Sequence, residues 1–138
     1  MRKIEQQMIQ AIKDNKAWRS GNTEVTLGSD GVSYVFLHGN LIAEVDDTSI
    51  TVYDGGWQSN TTKSRLNAIC EAFCIVGEGV FQEKFEWFVH KFVGQAGESK
   101  VYNKEPFVNG YIFSWVILWN RNLKTLRSHL TANLSALL

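Results

Sequence analysis

The chain has 138 residues with 14 basic and 14 acidic side chains, so any affinity for nucleic acid has to come from a local patch, and a strongly acidic nucleic-acid mimic is excluded. At 44% hydrophobic and 12% aromatic, with five Trp and eight Phe, it has enough apolar surface to fold without disulfides or metal, and residues 1–138 are expected to form a single domain.

Taken in order, residues 4–18 place Ile4, Met8, Ile12 and Trp18 among polar side chains, with Ile9 and Ala11 widening the stripe, which predicts an amphipathic helix covering a sheet. From Asn22 the period changes to two. Asp30-Gly31, Gly39-Asn40 and Asp47-Thr48 read as three successive two-residue hairpin loops. Together they pair Val25 with Phe36, Leu27 with Tyr34, Phe36 with Ala43, Tyr34 with Val45, Val45 with Ile50 and Ala43 with Val52. All eight residues then share one apolar face of a four-stranded antiparallel meander. Glu24, Thr26, Val35, Leu37, Ile42, Glu44, Thr51 and Tyr53 fall on the other.

The stretch from Gly55 to Ile69 joins this array to a central helix. A Gly-Gly turn frees the backbone, Trp57 supplies a large anchor, and Ser59, Asn60, Thr61 and Thr62 offer helix caps. Leu66, Ile69, Cys70, Phe73 and Val76 follow helical spacing, which predicts a helix lying on the apolar face of the meander until Gly77-Glu78-Gly79 stops it. Phe81, Phe85, Trp87 and Val89 alternate with polar residues and predict a fifth strand, residues 94–106 read as a long polar loop, and Phe107 to Phe113 as a short strand or turn. Beyond them Trp115, Trp119, Leu123, Leu126, Leu130 and Leu137 recur near helical spacing. The expected fold is therefore α+β: an antiparallel meander with a central helix packed across it, plus N- and C-terminal helices.

At Leu37-His38-Gly39-Asn40-Leu41-Ile42-Ala43, and again from Gly56-Trp57-Gln58-Ser59 through Thr61-Thr62-Lys63-Ser64-Arg65-Leu66-Asn67-Ala68, the chain resembles a group of small uncharacterised proteins encoded by bacteriophages and mobile elements. Trp18-Arg19-Ser20-Gly21-Asn22-Thr23 fits the same group. The resemblance covers residues 18–113, an α+β core, and leaves 114–138 as a C-terminal amphipathic extension. It implies an accessory protein acting in an infected or plasmid-bearing bacterium, and carries over no catalytic or binding residue.

Candidate chemistry is sparse. Cys70 and Cys74, four apart on a helix, are expected to be buried thiols in a reducing compartment. His38, His90 and His129 are scattered singly, and turn formation explains Asp46 and Asp47, so neither a metal nor a cofactor is expected. His38 has no nucleophile brought to it by periodicity. The N-terminus lacks a signal peptide and no apolar run reaches membrane-spanning length, which implies the host-cell cytoplasm and no membrane. The leading expectation is a non-catalytic accessory protein that binds and modulates a host protein, counter-defence being one form of such modulation. The alternative is a nucleic-acid binder using the helix start at Lys63 and Arg65 with exposed aromatics. Candidate binding residues are Trp57, Lys63, Arg65, Trp115, Trp119, Leu123 and Leu126. The last four form more apolar stripe than an edge helix needs, which predicts a homodimer contact or a docking face, with packing on the chain's own sheet as the competing arrangement.

Overall fold

A computed structural model describes residues 1–114. The fold is α+β and mostly sheet. Helix α1 (Lys3–Lys13) starts where the Glu5 carboxylate accepts the backbone N–H of Arg2 at 3.1 Å. It buries Met8, Ile9, Ala11 and Ile12. Trp18, expected at the end of this helix, instead opens strand β1 (Trp18–Ser20), because the chain leaves the helix at Asp14 and Asn15 takes a left-handed φ of 53°.

Strands β2 (Thr23–Leu27), β3 (Ser33–Leu37), β4 (Asn40–Val45) and β5 (Ser49–Val52) continue an antiparallel array. The expected register is wrong for β3. Gly28 N–H bonds to Val32 O at 2.9 Å around residues 29–31, and Asp30 Oδ1 accepts Val32 N–H at 3.0 Å, so Asp30-Gly31 sits inside a loop of odd length. One extra residue flips every side chain of the next strand. Val25 therefore faces Val35 and Leu27 faces Ser33, and Val35 and Leu37 are buried while Tyr34 and Phe36 turn outward and Leu27 is exposed.

The next turn has His38 and Gly39 at its centre, with φ of 52° and 77°, rather than Gly39-Asn40. A bulge then shifts the register between Val35 and Phe36, so that the consecutive residues Ile42 and Ala43 are both buried. The two departures cancel, and the expected pairing of Val45 with Ile50 and Ala43 with Val52 is found. Asp46 fixes that turn by accepting the backbone N–H groups of Thr48 and Ser49 at 2.8 and 2.7 Å.

Helix α2 (Asn60–Phe73) is capped by Ser59, whose hydroxyl accepts Thr62 N–H at 3.0 Å. Leu66, Ala68, Ile69, Cys70 and Phe73 enter the core, whereas Val76 lies past the helix end and is exposed. The expected fifth strand is two strands, β6 (Gly79–Glu83) and β7 (Glu86–Ala96), folded at Lys84-Phe85. The expected loop at 94–106 is mostly strand β8 (Ser99–Pro106), which with β6 and β7 makes a second sheet in the order β6-β7-β8. The polar residues there alternate on a hairpin whose sides are both largely solvated, which removes the apolar signal by which strands are read. Strand β9 (Tyr111–Ser114) returns to the first sheet, completing the order β1-β2-β3-β4-β5-β9. One cluster of buried side chains draws on α1, α2 and both sheets, including Val80, Trp87, Val89 and Phe113. The expected C-terminal helix lies outside the described residues.

Two polar knots tie these elements together. Arg65, buried on α2, forms an ion pair with Glu5 of α1 at 2.8 Å and donates through Nε to Thr23 Oγ1 at 3.0 Å; Ser64 donates to the same Glu5 oxygen at 2.6 Å. Burial pushes the Glu5 carboxyl up, but the hydrogen bonds from Ser64, the Arg2 backbone and Arg65 outweigh it and hold the group below its ordinary value. In the second knot, Glu78 is fully inaccessible and accepts the N–H groups of Ile75 and Phe92 at 3.2 and 3.0 Å while pairing with Lys91 at 2.9 Å.

Candidate functional site

The residues leading from β5 into α2 form a corner that the rest of the chain holds from several sides. Asp54 donates its backbone N–H to Asn109 Oδ1 at 2.8 Å, and its carboxylate accepts Gly56 N–H at 2.8 Å. Gly55 and Gly56 have φ of 70° and 85°, a region side chains disfavour, which is why the corner needs this pair. Trp57 O accepts Ser59 N–H at 3.0 Å and the Thr62 hydroxyl at 3.4 Å. The backbone at Trp57 is therefore fixed from both sides, yet its ring is 76% exposed.

The corner meets the His38-Gly39 turn across a cleft of about 90 Å³ lined by His38, Asn40, Asp54, Trp57, Ser59 and Thr62 among others. The two motif stretches are thus brought together, as neighbours rather than as reactants. A cleft of that size is well below the usual range for small-molecule pockets. Among the described residues no group of three or more His, Cys, Asp or Glu could hold a metal ion.

The other candidates separate. Lys63 donates to Gln82 at 3.2 Å across the gap to β6. Arg65, expected to face outward for phosphate, is only 4% accessible and committed to Glu5. The reason is spacing: Arg65 stands next to Leu66 and four before Ile69, on the buried side of α2, where α1 supplies a carboxylate. Trp115, Trp119, Leu123 and Leu126 lie outside the described residues.

The alternation of Phe81, Phe85, Trp87 and Val89 places Phe85 within one strand, whereas in the structure it stands in a turn between two. Lys84 and Phe85 occupy the centre of the β6–β7 turn with φ of 50° and 69°, and Phe85 is 93% exposed. The polar run Gln82-Glu83-Lys84 was the available sign of a turn. α2 and β6 run antiparallel, with Lys63 beside Gln82 and the Asn67 amide clamping both the N–H and C=O of Val80 at 2.8 Å. The β6–β7 tip therefore projects toward the amino end of α2, the end at which Trp57 stands.

The described residues define a small α+β protein, predominantly sheet, with two exposed aromatic side chains on turns at one end. The chain belongs to the Kyanoviridae Gp96 phage protein family, which matches residues 1–114. No curated protein and no solved structure matches it. No helix among the described residues is long and apolar enough to cross a membrane.

Proposed function

We propose that this phage protein is a non-catalytic accessory protein that binds and modulates a host protein in the host cytoplasm. The observation that supports this reading is the pair Trp57 and Phe85, 76% and 93% exposed, each set in a turn of left-handed backbone at the amino end of α2. Aromatic side chains are enriched among residues that dominate protein interfaces, and a fixed backbone lowers the ordering cost of using them. A phage setting supplies a host proteome as the pool of partners. Membership of a phage family supports that setting.

The nucleic-acid alternative, which draws on Lys63, Arg65 and the basic C-terminal residues, loses Arg65, because that side chain is buried against Glu5. The test is retention of a host protein from nuclease-treated bacterial lysate by the full chain, compared with Trp57→Ala and Phe85→Ala. The expected result is one partner held by the parent and lost by both variants at unchanged melting temperature. Equal retention by all three proteins would remove Trp57 and Phe85 from the interface and the reading with them.

A further inference from the structure

The outward face of the small sheet carries a cavity that the reading above does not use. Gly77 and Gly79 precede Phe81 at spacing two, and Gly79 is paired with His90 across the β6–β7 ladder. Beside this pair there is open volume, about 420 Å³ lined by Asn67, Gly77, Glu78, Gly79, Val80, Phe81 and His90. It is an open depression, suited to one face of a ring system rather than to enclosing a ligand.

Both glycines are required by close approach. A Cβ on Gly79 would come within 2.6 Å of Asn67 Oδ1, and one on Gly77 would strike the Tyr102 ring. The floor is held by the buried Glu78 carboxylate and its partners from two elements. One wall is the His90 imidazole, stacked on Tyr102 at 4.3 Å between centroids and pinned by an Nδ1–H donated to Gly77 O at 2.9 Å. That bond leaves Nε2 as the acceptor of the neutral ring, and it has no partner among the described residues. Phe81 stands edge-on to His90 at 6.1 Å. Asn67 spends one N–H and one lone pair on Val80 and keeps one of each.

The lining is thus aromatic, with donors and acceptors but no lysine or arginine, and Glu78 is consumed by its ion pair. A phosphate or carboxylate finds no cation there, and an aliphatic ligand would leave the amide and the imidazole nitrogen unpaired. A flat heterocycle with a hydrogen-bonding edge satisfies both, since its face packs on rings and its edge can accept the spare Asn67 N–H or donate to His90 Nε2. The geometry points to this cavity as a binding site for a nucleobase. The base comes from a free nucleoside or from a single strand laid along the same outward face, where Phe88 and Phe92 continue the row of rings and Lys104 lies 4.9 Å over Phe88.

The test is an NMR titration of the full chain with adenosine, with uridine and with a ten-nucleotide oligo-dT, each at millimolar concentration. Shifts confined to Asn67, residues 77–81 and the His90 ring are expected for at least one probe, and Phe81→Leu and His90→Phe should each weaken it about tenfold or more, as loss of one stacking or pairing contact does. Trp57→Ala should leave the affinity unchanged, which separates this site from the host-protein surface. Saturation by nucleosides indicates a free ligand, and binding of oligo-dT alone indicates a strand. Phe81→Leu alters only an outward side chain, so it serves if His90→Phe fails to fold. No shift at these residues with any probe, or undiminished binding in Phe81→Leu, overturns the proposal.

Discussion

Arg65 is the residue whose position most changes the meaning of its neighbours. In sequence it stands beside Lys63 at a helix start and looks like half of an anion site; in the fold it neutralises Glu5 where both are out of water. Truncating one member of such a pair strands the other charge, so Arg65→Ala should cost about 3–5 kcal/mol in urea unfolding, whereas Lys63→Ala, which loses an exposed bond to Gln82, should cost well under about 1 kcal/mol. The pH dependence follows from the same contacts. Glu5, and Asp46 with its four hydrogen bonds from Thr48 and Ser49, have folded pKa values below their ordinary ones, burial being outweighed in both cases. Each therefore contributes stability that is present above the unfolded-state value near pH 4 and is lost as pH falls through the lowered folded value. The urea midpoint should drop between pH 5 and pH 2 by less in Glu5→Gln than in the parent. An identical acid profile would show that the pair contributes nothing to acid lability. The motif residues Ser64, Arg65 and Asn67 turn out to be ties between elements, while Trp57 in the same motif is presented to solvent. Residue type alone could not separate those roles, because the partners Glu5 and Val80 are remote in sequence or on another element.

At the scale of elements, alternation showed that strands exist between residues 22 and 53 and where most begin, but facing depends on the parity of each loop. Asp30-Gly31 reads the same in a two-residue and in a three-residue loop, and only the closure of Gly28 on Val32 distinguishes them. The inward assignment of Val35 rather than Phe36 is testable: Val35→Ala should destabilise by about 2 kcal/mol and Phe36→Ala by clearly less, despite the larger truncation. A greater loss at Phe36 would restore the register with Val25 opposite it. The β6–β7 hairpin offers a sharper case. Its turn uses Lys84 and Phe85 where glycine or asparagine is favoured, so Phe85 carries left-handed strain with its ring almost wholly in water. Phe85→Gly should therefore raise stability by about 1 kcal/mol while weakening retention of the host partner. A loss of stability instead would mean that the ring supports the hairpin and is not held out for another molecule.

At the scale of the molecule, the core among the described residues is built from both helices and both sheets. Phe113 of β9 is fully buried and pairs with Ile50, and the Tyr111 hydroxyl donates to Glu105 at 2.6 Å, joining the first sheet to the second. The family match ends at residue 114, just past the buried Phe113. A protein ending at Ser114 should therefore melt in one cooperative transition close to that of the full chain. The Trp115, Trp119, Leu123 and Leu126 stripe falls beyond the family match, and an apolar stripe of that size is characteristic of an interface centre. The expectation that it mediates a homodimer then takes a measurable form. Light scattering should give twice the chain mass for residues 1–138 and the single-chain mass for residues 1–114, with both proteins folded by circular dichroism. A monomeric full chain together with an unfolded shorter one would mean that the stripe completes the core. A monomeric full chain with a folded shorter one would leave the stripe to a partner other than a second copy.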